Sequence, residues 1–138
     1  MQTATNPAVH LHDIGQIALT VTNLDDARAF YRDILGMQFL FDAGAMTFFQ
    51  CGSVRLLLGT GENHAAPGGG TVLYFRVPDI ETACASLREK GVGFSQEPHL
   101  VARMKSHDLW LAIFNDPAGN ALALMSEIPR ASTPEKTA

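Results

Sequence analysis

Apolar residues alternate over residues 14–21, with Gly15, Ile17, Leu19 and Val21 on one side and Ile14, Gln16, Ala18 and Thr20 on the other. This period of two predicts a strand with one apolar and one mixed face. The period then lengthens. Asn23 is a good helix N-cap, Asp25 and Asp26 suit the positive end of a helix, and Leu24, Ala27, Phe30, Tyr31, Ile34 and Leu35 recur at helical spacing until Gly36. Three β-like runs follow at residues 37–41, 45–51 and 54–58, joined by DAG and CGS turns. Residues 60–70 are rich in Gly and Pro and aperiodic, which predicts a linker. The same order then restarts. A strand is predicted at 71–77, and a helix at 79–90 with Ile80, Ala83, Cys84 and Leu87 on one face. After Gly91, three β-like runs fall near 94–101, 109–115 and 121–127. Residues 1–13 and 128–138 show no periodicity and are expected to be flexible ends.

The recurrence survives a direct check. An offset of 56 carries Val21 to Val77, Leu24 to Ile80, Asp25 to Glu81, Ala27 to Ala83, Arg32 to Arg88 and Asp33 to Glu89. One deletion then carries Gly36 to Gly91 and Phe39 to Phe94. Apolar matches at a helical period arise easily by chance, but an acid, an Arg–acid pair and a stop glycine repeated together do not. Four strands and one helix make an amphipathic sheet that cannot bury its face alone, so the copies must pair. The expected fold is α+β: two tandem βαβββ modules, at 14–59 and 71–127, sharing one structural domain as a curved mixed sheet around a cleft.

Composition narrows the function. With 138 residues, 46% hydrophobic and 17% charged, the chain has globular composition. Its net charge of −4 lacks the basic excess that nucleic acid or an anionic membrane would require. The first dozen residues hold no Lys, Arg or apolar core of a signal peptide, and no run approaches eighteen apolar residues, so a soluble cytoplasmic protein is expected. Cys51 and Cys84 each lie in an apolar segment and are expected to be reduced and structural.

The segments IALTVTNLDDARAFYRDILGMQF, YFRVPDIETACASLREKGVGF and FNDPAGNALALMSE resemble the vicinal oxygen chelate superfamily, which includes glyoxalase I, extradiol dioxygenases and bleomycin-binding resistance proteins. The resemblance covers residues 14–127. It implies the paired-module fold and a homodimer, with Leu11, Phe41 or Met46 on the flank that would form the interface. In metal-dependent members it also implies four ligands, one from the first and one from the last strand of each module. The motifs place these positions at Gln16, Leu56, Val72 and Ala123. Of the four only Gln16 offers a ligand atom, and one amide oxygen does not hold a divalent ion against water. The usual metal site is therefore expected to be lost, with no cofactor needed.

Period two sends Ala18 and Thr20 to the same face as Gln16, Tyr74 and Arg76 to that of Val72, and Met125 and Glu127 to that of Ala123. This predicts an apolar floor edged by polar groups, with Arg76 either pairing with Glu127 or gripping an acidic ligand. A second polar cluster, QEPHLVARMKSHDLW, brings Glu97, His99, Arg103, Lys105, His107 and Asp108 around a hairpin ahead of Trp110. Two functions follow. One is a small-molecule binder that takes an apolar or acidic ligand in the cleft through Gln16, Tyr74, Arg76, His99 and Trp110. The other is a lyase, isomerase or dioxygenase that uses His107 and Glu127 as an acid–base pair, or a relocated metal on His99, His107 and Glu127 or Glu97. For Trp110 and the histidines, plain structural roles remain open beside the functional ones.

Overall fold

The computed structural model describes residues 9, 11–60 and 66–130. Strand β1 (Gln16–Thr20) leads to α1 (Leu24–Ala29), where the Asn23 side chain accepts a hydrogen bond from the Asp26 N–H at 2.9 Å, as a capping residue should. The helix does not continue as α to its end. Phe30–Ile34 form a π-helical turn, with the Leu35 N–H donating to the Phe30 carbonyl five residues back at 2.9 Å. Gly36 follows with φ of 72°, a conformation that favours glycine, and the chain turns into β2 (Gln38–Ala43), β3 (Met46–Cys51) and β4 (Val54–Gly59). The second module repeats the order with β5 (Leu73–Arg76), α2 (Ile80–Glu89), β6 (Phe94–Arg103), β7 (His107–Asn115) and β8 (Ala121–Pro129).

The tandem βαβββ expectation holds as two four-stranded sheets, ordered β1-β4-β3-β2 and β5-β8-β7-β6. In each, the first strand pairs in parallel with the last and the other neighbours are antiparallel. The last strand runs two residues past 127, so Ile128 and Pro129 are strand rather than tail. Arg130 donates to the His107 and Lys105 carbonyls at 3.1 and 2.8 Å, and also to the Met104 carbonyl. Of the other residues expected to be linker or flexible ends, 9, 11–13, 60, 66–70 and 130 form neither helix nor strand, and 1–8, 10, 61–65 and 131–138 lie outside the described residues.

Both modules turn their helix-covered sheet faces into one core, where Tyr31, Phe49, Leu56, Leu58, Cys84, Phe114 and Leu122 are fully buried. The FYRDILG and DPAGN segments join the modules. Tyr31 Oη donates to Asp116 Oδ2 at 2.9 Å, and the Asn120 amide donates to the same oxygen at 2.9 Å and to the Thr20 carbonyl at 2.8 Å. Asp116 Oδ1 accepts from the Ala118 and Asn120 N–H groups, and Asn120 Oδ1 from the Gly68 N–H. Gly68, at φ of 74°, lies against the Gly119 carbonyl, and a Cβ there would come within 3.3 Å of that oxygen. These two motifs are thus one hydrogen-bonded joint between the π-helical turn after α1, β1 and the β7–β8 turn.

Candidate functional site

The opposite faces of the sheets are open, and the strand registers place side chains on them in rows. In the first module one row is Gln16, Arg55, Gln50 and Gln38, and the next is Ala18, Leu57, Phe48 and Phe41. Arg55 Nε donates to Gln16 Oε1 at 2.9 Å, the Arg55 guanidinium stands 5.9 Å from the Phe48 ring centre, and Phe48 stacks on Phe41 at 4.6 Å and 26°. The register corrects one motif placement. Leu56 points into the core, 2% exposed; the β4 residues on Gln16's side are Arg55 and Leu57, and Leu57, opposite Ala18 as Ala123 is opposite Tyr74, is the counterpart of Ala123. Gly52 belongs to a tight hairpin whereas Gly119 ends the longer DPAGN turn, so an ungapped match of the two final strands slips by one residue and changes face.

In the second module the rows are Tyr74, Ala123, Ile113 and Gln96, then Arg76, Met125, Leu111 and His99, then Glu127, Leu109 and Ala102, with His107 opposite Pro129 beyond. An apolar floor edged by Tyr74, Arg76, Glu127 and the two histidines is therefore present. Arg76 Nε lies 3.2 Å from Glu127 Oε1, and His107 Nε2 lies 3.5 Å from Glu127 Oε2. Arg76 and Glu127 also line a pocket of about 410 Å³ with Val77 and Pro78.

Other expected partners are kept apart. His99 sits opposite Leu111, four residues along β7 from His107, a separation of roughly 13 Å at the rise of a strand. Its Nδ1 lies 2.7 Å from the Glu97 carbonyl, while the Glu97 carboxylate pairs with Arg88. Among the described residues no group of three His, Cys, Asp or Glu side chains is placed to hold a metal ion, so the relocated site on His99, His107 and Glu127 or Glu97 is not assembled. Trp110 is not a ligand contact of this face. It pairs with Ser126, which is fully buried, and packs against the core, because it alternates with the outward Leu109 and Leu111.

One cavity between the modules, about 490 Å³, lies on the helix side, where Ile34, Met37, Cys51, Phe75, Leu87 and Phe114 are among its lining, and none of the seven expected site residues reaches it. Another, about 260 Å³, is lined by Ile17, Val54 and Leu56 of the first module and by Val72 and the expected Tyr74 of the second. Gln16 and Tyr74 stand on separate sheet faces. Both thiols are free, and burial pushes each above the usual cysteine range, which suits structural cysteines. Periodicity could place Gln16, Tyr74, Arg76 and Glu127, but Arg55 escaped notice because its role depends on which residue faces it across β1–β4. The signal available was a lone cation inside the apolar run VRLLL.

A family model described as the Glyoxalase/Bleomycin resistance protein/Dioxygenase superfamily matches residues 13–124, and the chain belongs to that superfamily. An uncharacterized protein from Mycolicibacterium smegmatis is 28% identical over 120 residues, which are 86% of this chain and 97% of that protein. Among solved structures, a lactoylglutathione lyase from Agrobacterium tumefaciens superposes with a TM-score of 0.67 at 23% identity, covering 88% of this chain and 95% of its own. TnmS3, an antibiotic binding protein from Streptomyces sp. CB03234, gives 0.70 at 22% identity, covering 88% and 99%. At these identities the structural likeness establishes the fold, which hosts both catalysis and binding. No helix among the described residues is long and apolar enough to cross a membrane.

Proposed function

We propose that this chain is a small-molecule-binding protein that works without a divalent metal, taking an apolar or acidic ligand against its open sheet faces with Gln16, Tyr74, Arg76 and His99 among the contacts. One observation carries the reading. Gln16 Oε1, the single metal-ligating atom among the four positions implied by the family resemblance, accepts a hydrogen bond from the cationic Arg55 at 2.9 Å. The other positions, Leu57, Val72 and Ala123, have no ligand atom in their side chains. A divalent ion there would meet a guanidinium and one amide oxygen, a donor set that cannot displace its water shell. A fold shared with an antibiotic binding protein is compatible with this role. We extend the reading to a homodimer in which a second copy covers exposed apolar side chains such as Leu11.

The test is elemental analysis of untagged protein, purified without chelator and dialysed against zinc, iron, manganese and nickel. No stoichiometric uptake is expected. One ion per chain, lost in Gln16→Ala, would overturn the reading.

A second reading, an enzyme with His107 and Glu127 as acid–base pair, is favoured by their 3.5 Å approach at the edge of the apolar floor. Turnover of a family-type lyase, isomerase or dioxygenase substrate, abolished by both His107→Ala and Glu127→Ala, would carry it. Turnover indifferent to both changes would remove it.

A further inference from the structure

The seven arginines of the chain are not alike. Arg28 pairs with Asp25 and Asp42, Arg32 with Asp33, Arg76 with Glu127, Arg88 with Glu97, and Arg103 and Arg130 with Asp108. Arg55 alone has no carboxylate partner among the described residues, although acids outnumber bases in the chain by fourteen to ten. Its row across the sheet, Gln16, Gln50 and Gln38, is polar but uncharged, so the first module's open face presents one positive charge and no negative one in that row.

The side chain is also oriented. Gln16 Oε1 engages Nε, and the guanidinium stands 5.9 Å from the Phe48 ring centre. A guanidinium bonded through Nε still has its Nη1–Nη2 edge, whose two parallel N–H bonds match the two oxygens of a carboxylate. Ordering it in advance lowers the entropy lost when an anion binds. The neighbouring row is apolar and aromatic, with Phe48 stacked on Phe41, Phe41 being 45% exposed. Successive rows on one face lie about 7 Å apart, roughly the distance from a carboxylate to the far edge of the ring that bears it.

We propose that the open face of the first module is a receptor for planar aromatic carboxylic acids, with Arg55 gripping the carboxylate and the Phe48–Phe41 stack receiving the ring. The proposal rests on the metal-free binding reading and names its ligand class. It also separates the modules, because the arginine on the second module's open face, Arg76, is already neutralised by Glu127.

The probes are 2-naphthoate and its uncharged counterpart 2-naphthamide, titrated calorimetrically into the full chain. Wild-type protein is expected to bind the acid at least about tenfold more tightly than the amide, the scale of one charge-assisted bidentate contact. Arg55→Met should erase that preference, and Arg55→Lys, which keeps the charge but loses the fork, should lose most of it and stands in should the Met variant not fold. Phe48→Ala should weaken acid and amide alike, and Arg32→Met, at an arginine of the helical turn that pairs with Asp33, should change neither. A preference that survives Arg55→Met, that disappears in Arg32→Met, or an acid that does not bind at millimolar concentration overturns the receptor. Each of these outcomes in a metal-free protein leaves the parent reading in place, whereas stoichiometric metal on Gln16 removes the parent itself.

Discussion

The Asp116 carboxylate, 4% exposed, accepts four hydrogen bonds, one from Tyr31 in the other module and three from its own turn. Burial, then the adjacent Asp116 charge and the hydrogen bond itself, push the Tyr31 phenol far above its usual range, so it stays a donor at any pH the fold survives. Tyr31→Phe keeps the ring and removes only that donor. It is expected to lower stability by about 2 kcal/mol, the range for a hydrogen bond to a charged group, as read by urea denaturation. Asp116→Ala removes the acceptor of all four bonds and should cost more, and equal losses in the two variants would mean that Tyr31 carries the joint alone. Both residues stood out in the chain as motif members, but their contact spans 85 positions and no local pattern implies it. Arg55 shows the same limit, since 39 residues separate it from the Gln16 that orients it.

The helices were the most legible elements, because their caps and apolar stripes are local. At α2, Asp79 accepts from the Glu81 and Thr82 N–H groups and from the Thr82 hydroxyl. The Thr82 N–H, then its hydroxyl, hold the Asp79 carboxyl below the usual carboxylate range. A pKa lowered by folding contributes stability above the unfolded value, and that contribution is lost as pH falls through the folded value. Asp79→Ala should therefore melt lower at neutral pH and lose less further stability than wild type on acidification to about pH 2.5. Parallel melting curves, with the two proteins separated equally at both pH values, would refute the cap's role. Strand ends were harder to place. β7 begins at His107 rather than 109, and β6 carries three register shifts around Pro98, which cannot donate to the ladder. A slip of one residue, as between Leu56 and Leu57, turns a side chain from the core to the open face.

At the scale of the molecule, two helix-covered faces close one core and leave two faces open, with Tyr74 52% exposed on one and Phe41 45% exposed on the other. Those faces take the ligand, whereas Leu11, ahead of β1 and 94% exposed, is an apolar group whose covering by a second copy lowers the free energy. Light scattering is expected to return twice the chain mass, and a mass of one chain would end the homodimer proposal.

The sequence by itself determined the duplicated βαβββ order, both helix caps, the alternation that puts Gln16, Tyr74, Arg76 and Glu127 on mixed faces, and the poverty of metal ligands. All of these are written in neighbouring residues or in a repeat offset. Only the tertiary structure decided that Arg55 meets Gln16, that Trp110 turns inward, that His99 stands apart from His107, and that one cavity between the modules opens on the helix side while another reaches Tyr74. These depend on strand register and on how one module packs against the other, and both are set by contacts between residues far apart in the chain.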